Sequence, residues 1–287
     1  MSLARRGILT TIAIVWVCVA GCEGRPLRPA TPVTGVILLL VDALRPDHLG
    51  CYGYQRPTSP HIDALAAAGT RFANAVTPAP WTLPALGTLM TGLYPSVHGA
   101  AAPSNIAAWM ANREAFRPVN TLDESRTTLA EVLRAGGFGT AAFINGSYPA
   151  RVFGFGQGFE HFADNELPGI RLNVEAALDW IEQAGSQRFF VYLHAKEVHS
   201  PYAEPPGLEW ITRKESTDPR YRHITQAVAE EGTRHRQFAF DAGYDGRVDG
   251  SWSTLQGLAR SRQRPAPRDL EHLMALYDQG VAYTDYC

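Results

Sequence analysis

The chain has 287 residues, with 45% hydrophobic and 19% charged positions, which is the range of an ordinary globular protein. A formal net charge of -2 excludes a broad electrostatic pull toward nucleic acid. The length suits one large α/β domain or two small ones, with a core that needs no disulfides.

The first residues stand outside the fold. Arg5 and Arg6 form a positive region, and the uncharged stretch from Gly7 to Cys22 follows. At 16 residues it is short for a bilayer span, which needs about 20. It ends in Val19-Ala20-Gly21-Cys22, small residues before a cysteine, as in a secretory signal with a cleavage site. These four residues resemble a bacterial lipobox. That resemblance implies a signal peptide over residues 1–21, lipidation of Cys22 and anchoring to a membrane through the N-terminal lipid. Glu23 after the cysteine, by resemblance to Gram-negative sorting rules, implies an exported protein on the outer membrane facing the periplasm. An uncleaved signal anchor is the alternative. Residues 22–35, with Pro26, Pro29 and Pro32, form a semi-rigid tether. Once Cys18 and Cys22 are set aside, only Cys51 and Cys287 remain, so a thiolate zinc site is not expected. One disulfide between those two is compatible with an oxidising compartment.

The domain proper is expected over residues 36–287. Val36 to Val41, VILLLV, is a continuous apolar run that predicts a central strand buried on both faces, ended by Asp42. A helix is expected after Ser59 as cap and Pro60 in the first turn, with Ile62, Leu65 and Ala66 on one face and Gly69 as stop. Thr82 at a cap position, Pro84 in the first turn and Gly92 at the end predict a second helix. A third runs from about Thr127 to Arg134, with Leu129, Val132 and Leu133 inward. Thr140 to Ile144 predicts a strand, Asn173 caps a helix carrying Val174, Ala177, Leu178 and Ile181, and Phe189 to Leu193 predicts another strand. The polar, Arg-rich stretch within 207–268 is a long insertion, and an amphipathic helix follows from about Leu270 to Tyr283. Alternating strands and helices give an α/β fold, a largely parallel central sheet flanked by helices. In such sheets functional residues gather beyond the strands' carboxyl ends, which selects Asp42, Asn145 and the His194–His199 segment.

Three features carry chemistry. Asp42 at a strand end suits a hard cation, though aspartate also caps turns. Asp47 and His48 in the next loop are candidate supporting or substrate-facing groups, with a structural role the expected reading of His48 taken alone. Thr82 at a helix N-terminus places a hydroxyl where backbone N–H groups favour an anion, and so suits attack on sulfur or phosphorus. An ordinary N-cap threonine is the plain alternative. His194, Lys196 and His199 can bind an anionic ester or protonate a leaving oxygen. His194 also fits a satisfied core histidine.

Val36 to Tyr54, VILLLVDALRPDHLGCYGY, resembles the opening of the sulfatase family of the alkaline phosphatase superfamily. TSPHIDALAAAGTRFA from Thr58, PAPWTLPALGTLMTGLYPSVHG from Pro78, TLAEVLRAGGFGTAAF, FFVYLHAKEVHSPY and YDQGVAYTD continue the resemblance in order. It implies an alkaline-phosphatase-like fold and ester hydrolysis at a divalent metal, usually Ca2+. By position it makes Asp42 a metal ligand, Thr82 the nucleophile and His199 the histidine near the leaving group. Lys196 and His194 become substrate-anion candidates, and His98 is structural. The expected substrate is an anionic sulfated or phosphorylated ester.

The departures are specific. Thr82 cannot become the formylglycine of true sulfatases, and it tilts the chemistry toward phosphoryl transfer. Ala85 and Leu86 stand where the family carries Ser and Arg, and Ala43 replaces a frequent second carboxylate. The family's Asp-His/Asn-Gly segment does not follow Tyr277, so a C-terminally incomplete domain and metal site are expected. An inactive relative that binds an anionic ligand, or the product of a broken gene, are the competing readings.

Overall fold

A computed structural model of the chain describes residues 32–104, 120–145, 147–164, 169–200 and 267–287, with single positions 112, 115, 116, 118, 202, 255 and 257. The expected signal peptide, Cys22 and nearly all of the 207–268 insertion lie outside the described residues. Residues 35–287 cluster as one compact unit.

Four strands make the sheet: β1 Gly35–Val41, β2 Gly139–Ile144, β3 His161–Asp164 and β4 Phe189–Ala195. Their order is β1-β4-β2-β3 and every pairing is parallel. Val41 pairs with Ala195 and Ile144 with His194, so the strand carboxyl ends lie level. The Asp42 amide extends the first ladder by donating to the Ala195 carbonyl at 2.9 Å. The helices are α1 Pro60–Ala68, α2 Thr82–Thr91, the single turn α3 Pro95–His98, α4 Leu129–Ala135, α5 Ile170–Ala184 and α6 Pro267–Tyr286.

Alternation along the strands divides the core. Ala142, Ile144, Phe190 and Tyr192 face one side, against Leu83, Leu86 and Met90 of α2 and Ala130 of α4. Ala141, Phe143, Val191 and Leu193 face the other, against Val174, Ala177, Trp180 and Ile181 of α5. Sequence periodicity misplaced several details. Among the described residues β1 is an outer strand rather than a central one: Val36, Leu38 and Leu40 pack inward, but Ile37 and Leu39 are 56% and 50% exposed. The packing of α5 falls on β2 and β4, which leaves that row of β1 uncovered among the described residues. Val132 faces solvent because α4 turns Ala130 inward instead. Asn173 lies inside α5, whose cap position is Gly169, and its side chain donates to Asn145 Oδ1 and the Gly169 carbonyl. The four-residue β3 went unrecognised. The helix expected from about Thr127 to Arg134 runs over Leu129–Ala135, and Thr128 and Glu131 form a capping box at its start.

The last helix closes the carboxyl end of the sheet. Val281 and Tyr277 pack on Leu49 and Val198, and Tyr283 packs on Ile170 and Ala195. Asp285 accepts from the His61 and Ile62 amides, so α6 supplies the anionic cap of α1, while the Ser59 hydroxyl donates to Asp63. Asp278 is buried and fully engaged. One carboxylate oxygen sits 2.6 Å from His48 Nδ1, and the other accepts from the Tyr54 hydroxyl at 2.6 Å and from Arg56 at 2.8 Å. Gly280 permits close approach, since a Cβ there would fall 2.5 Å from the Glu197 carbonyl oxygen. Cys51 and Cys287 are free thiols in separate apolar clusters. Asp278→Ala should cost about 3 kcal/mol in urea unfolding, because it strands buried partners. Arg56→Ala, at a half-exposed side chain, should cost under about 1 kcal/mol. Equal costs would show that Asp278 is not the docking anchor.

Candidate active site

The candidate site forms where β1 and β4 end beside the start of α2. Asp42 leaves β1 with its side chain 16% exposed. The next residue, Ala43, has φ +60°, a left-handed conformation that L residues adopt at a cost. Tyr277 of α6 holds this turn: its hydroxyl accepts from the Arg45 amide at 2.7 Å and donates to the Ala43 carbonyl at 2.8 Å.

Trp81, in extended conformation, occupies the cap position of α2, and Thr82 is its first helical residue. That one-residue difference from the expected cap redirects the hydroxyl. The Thr82 hydroxyl donates to Asp42 at 3.2 Å to Oδ2 and 3.4 Å to Oδ1, rather than accepting from a backbone amide. Gly92 ends the helix in the left-handed region, as its sequence position implied. The buried His98 accepts from the Ala100 amide and packs on Gly87, in keeping with a structural role.

His194 is completely buried on β4. Its Nδ1 lies 2.6 Å from the Tyr192 hydroxyl, and its Nε2 lies 3.6 Å from Asp42 Oδ2. The second distance is too long for a hydrogen bond, and Nε2 has no other partner among the described residues. Burial pushes the imidazole below its ordinary value against the pull of Asp42, which keeps it neutral. Burial also opposes ionisation of Asp42. The imidazole of His194, the nearby His199 and the Thr82 hydroxyl outweigh that penalty and hold the carboxyl below the usual range. Burial lowers the Lys196 ammonium, and Asp42 and Glu197 limit the fall. Glu197 organises this loop by accepting from the Ile170 and Lys196 amides. His199 Nδ1 donates to the Ser200 carbonyl at 2.5 Å.

The structure thus brings Asp42, Thr82 and His194 together, with Lys196 and His199 in electrostatic reach of Asp42. Asn145 is drawn instead into a bond with Asn173. Asp47 is exposed and paired with Arg45, and His48 is buried on Asp278. Sequence reading missed Tyr192, Tyr277 and Asp278. Tyr192 was within reach, because period two places it on the same strand face as His194.

A divalent cation fits this set only in part. Asp42 offers a hard carboxylate and Thr82 a hydroxyl, far from the six or more oxygens of a Ca2+ shell. Among the described residues no group of three or more His, Cys, Asp or Glu side chains is placed to hold an ion.

Comparison with known proteins finds sulfatases and fold neighbours. The chain is 28% identical over 123 residues to mouse (Mus musculus) steryl-sulfatase, covering 43% of this chain and 19% of that protein. It is 30% identical over 108 residues to an N-acetylgalactosamine-6-O-sulfatase of Bacteroides thetaiotaomicron, covering 37% and 19%. The phosphonate monoester hydrolase of Agrobacterium radiobacter superposes with TM-score 0.56 at 18% identity over 88% of this chain and 57% of its own. A structure in complex with its substrate D-glucosamine-2-N,6-O-disulfate gives TM-score 0.55 at 14% identity, over 88% and 60%. These matches therefore span about a fifth of the curated relatives' length and under two thirds of the solved chains. The sulfatase family model matches residues 34–287, and the chain belongs to the sulfatase family.

Proposed function

We propose that this site carries the nucleophile side of a hydrolase acting on anionic sulfate or phosphate monoesters. The observation that carries the reading is the Thr82 hydroxyl, on the first turn of a helix and donating to a carboxylate held at a strand end. In this reading the ester's anionic group sits at the N-terminus of α2, where unbonded backbone N–H groups and the helix dipole favour negative charge. Lys196 adds a positive group beside it. Thr82 Oγ attacks the sulfur or phosphorus as its proton passes to Asp42, which the surrounding donors keep ionised. The bond to the ester oxygen breaks, and His199 supplies the proton to that leaving oxygen. Water then releases the group from Thr82 as sulfate or phosphate.

Family membership and the zinc complex of a fold neighbour, the EcEptC periplasmic domain of Escherichia coli, support dependence on a divalent metal. The neighbour is 16% identical at TM-score 0.50. Asp42 is the described carboxylate suited to hold the ion, which would neutralise the ester anion. No step above runs through it. Sulfated esters are supported by the relatives' names, and phosphorylated ones by the threonine. Leu86 in the place of the family's arginine favours the second reading, a site that binds such an anion without turnover. Export and lipid anchoring at Cys22 rest on the leader residues.

Thr82→Ala should lower turnover of aryl sulfate or aryl phosphate, assayed with added divalent cations, by at least about a thousandfold. Thr82→Ser should retain it. Unchanged turnover in the alanine variant removes Thr82 from the reaction. Cys22→Ser should move the expressed protein from the membrane to the soluble fraction, and continued membrane retention would sink lipidation.

The neutral state of His194 has a pH signature. The unfolded chain protonates this histidine near 6.5 while the folded chain resists. Its contribution is therefore present above that value and lost as pH falls below it. The stability difference between wild type and His194→Asn should narrow between about pH 7 and pH 5, by up to about 1.4 kcal/mol per unit. A constant difference would show a charged His194.

A further inference from the structure

We propose that Tyr192 and His194 form a buried positioning pair that orients Asp42, with the Tyr192 hydroxyl donating to Nδ1 and the imidazole proton placed on Nε2, aimed at Asp42 Oδ2. This assignment adds two residues to the reaction proposed above and rests on that reading for its purpose, though not for its geometry.

The argument begins with the strand. Tyr192 and His194 are two residues apart on β4 and so point to the same face. Both are fully buried. Among the described residues the Tyr192 hydroxyl has one hydrogen-bond partner, His194 Nδ1 at 2.6 Å. A phenol has one proton to give, and a buried donor left unsatisfied is costly, whereas an oxygen lone pair without a partner costs less. The arrangement that satisfies the hydroxyl makes Nδ1 the acceptor. In a neutral imidazole the proton must then reside on Nε2.

That proton has no partner of its own. Nε2 is buried, unbonded among the described residues and 3.6 Å from Asp42 Oδ2. The same oxygen takes the shorter bond from Thr82. A shift of about half an ångström closes the gap to ordinary hydrogen-bond length. His194 then fixes the carboxylate's rotation while Thr82 approaches the same edge. This tautomer also removes the Nε2 lone pair, so His194 is not a metal ligand here. Neither residue touches substrate, and both act through Asp42.

The full chain, labelled with 15N-histidine, gives the test. Long-range proton–nitrogen correlations report which ring nitrogen carries hydrogen, and the His194→Gln spectrum identifies the His194 signals. Wild type should show the proton on Nε2. Tyr192→Phe, which retains the ring, should lose the fixed tautomer and shift both nitrogen resonances toward the averaged position. A wild-type spectrum with the proton on Nδ1, or a Tyr192→Phe spectrum that matches wild type, overturns the pairing. The wild-type spectrum decides even if the variant folds poorly. Failure of wild type to cleave any ester counts against the hydrolase reading alone, because the tautomer is read without turnover.

Discussion

Everything at the carboxyl end of the sheet depends on the docking of the last helix. Tyr277, 232 residues beyond Arg45 in sequence, bridges the Ala43 carbonyl and the Arg45 amide with a single hydroxyl. That bridge holds a left-handed alanine immediately after Asp42. Asp278 next to it gathers His48, Tyr54 and Arg56, and Gly280 lets the backbone of α6 lie against the loop at Glu197. The two loops that present Asp42 and the Lys196–His199 group are thus braced from one helix. Strained or irregular backbone persists where its surroundings over-determine it, and α6 provides that surrounding.

Within the braced frame, the electrostatics are those of one carboxylate sharing several partners. Asp42 is mostly buried, yet it stays ionised because Thr82, His194 and His199 all favour its charge. Ala43, Ala85 and Leu86 remove polar groups that the family motif would supply nearby. The remaining chemistry concentrates on a hydroxyl, a carboxylate and an imidazole. Such a set suits nucleophilic attack with a positioned proton acceptor better than the aldehyde-based chemistry of formylglycine.

Much of this was legible in the sequence, where local rules govern. The run VILLLVD marked a strand ending in a carboxylate, and the Pro84 and Gly92 pair bounded the helix that begins at Thr82. The strand-end rule selects Asp42 and the His194–His199 segment from the residues alone, and with them Asn145, which bonds Asn173 instead. The position of β1 at the sheet's edge was not legible, because an apolar run looks the same in an outer strand whose exposed row holds Ile37 and Leu39. The direction of the Thr82 hydroxyl turned on a one-residue helix boundary, which is finer than propensity can fix. The partners of Asp278 and Tyr277 lie more than 220 residues away. No local pattern encodes such pairings.

The central claim is that Thr82 receives the transferred group. The most direct measurement is mass spectrometry of the protein, acid-quenched during reaction with an excess of aryl sulfate or aryl phosphate and a divalent cation. The account predicts one sulfuryl or phosphoryl increment on the peptide that contains Thr82, absent from Thr82→Ala. Turnover with no such adduct on Thr82, or with the group on another residue, would contradict it.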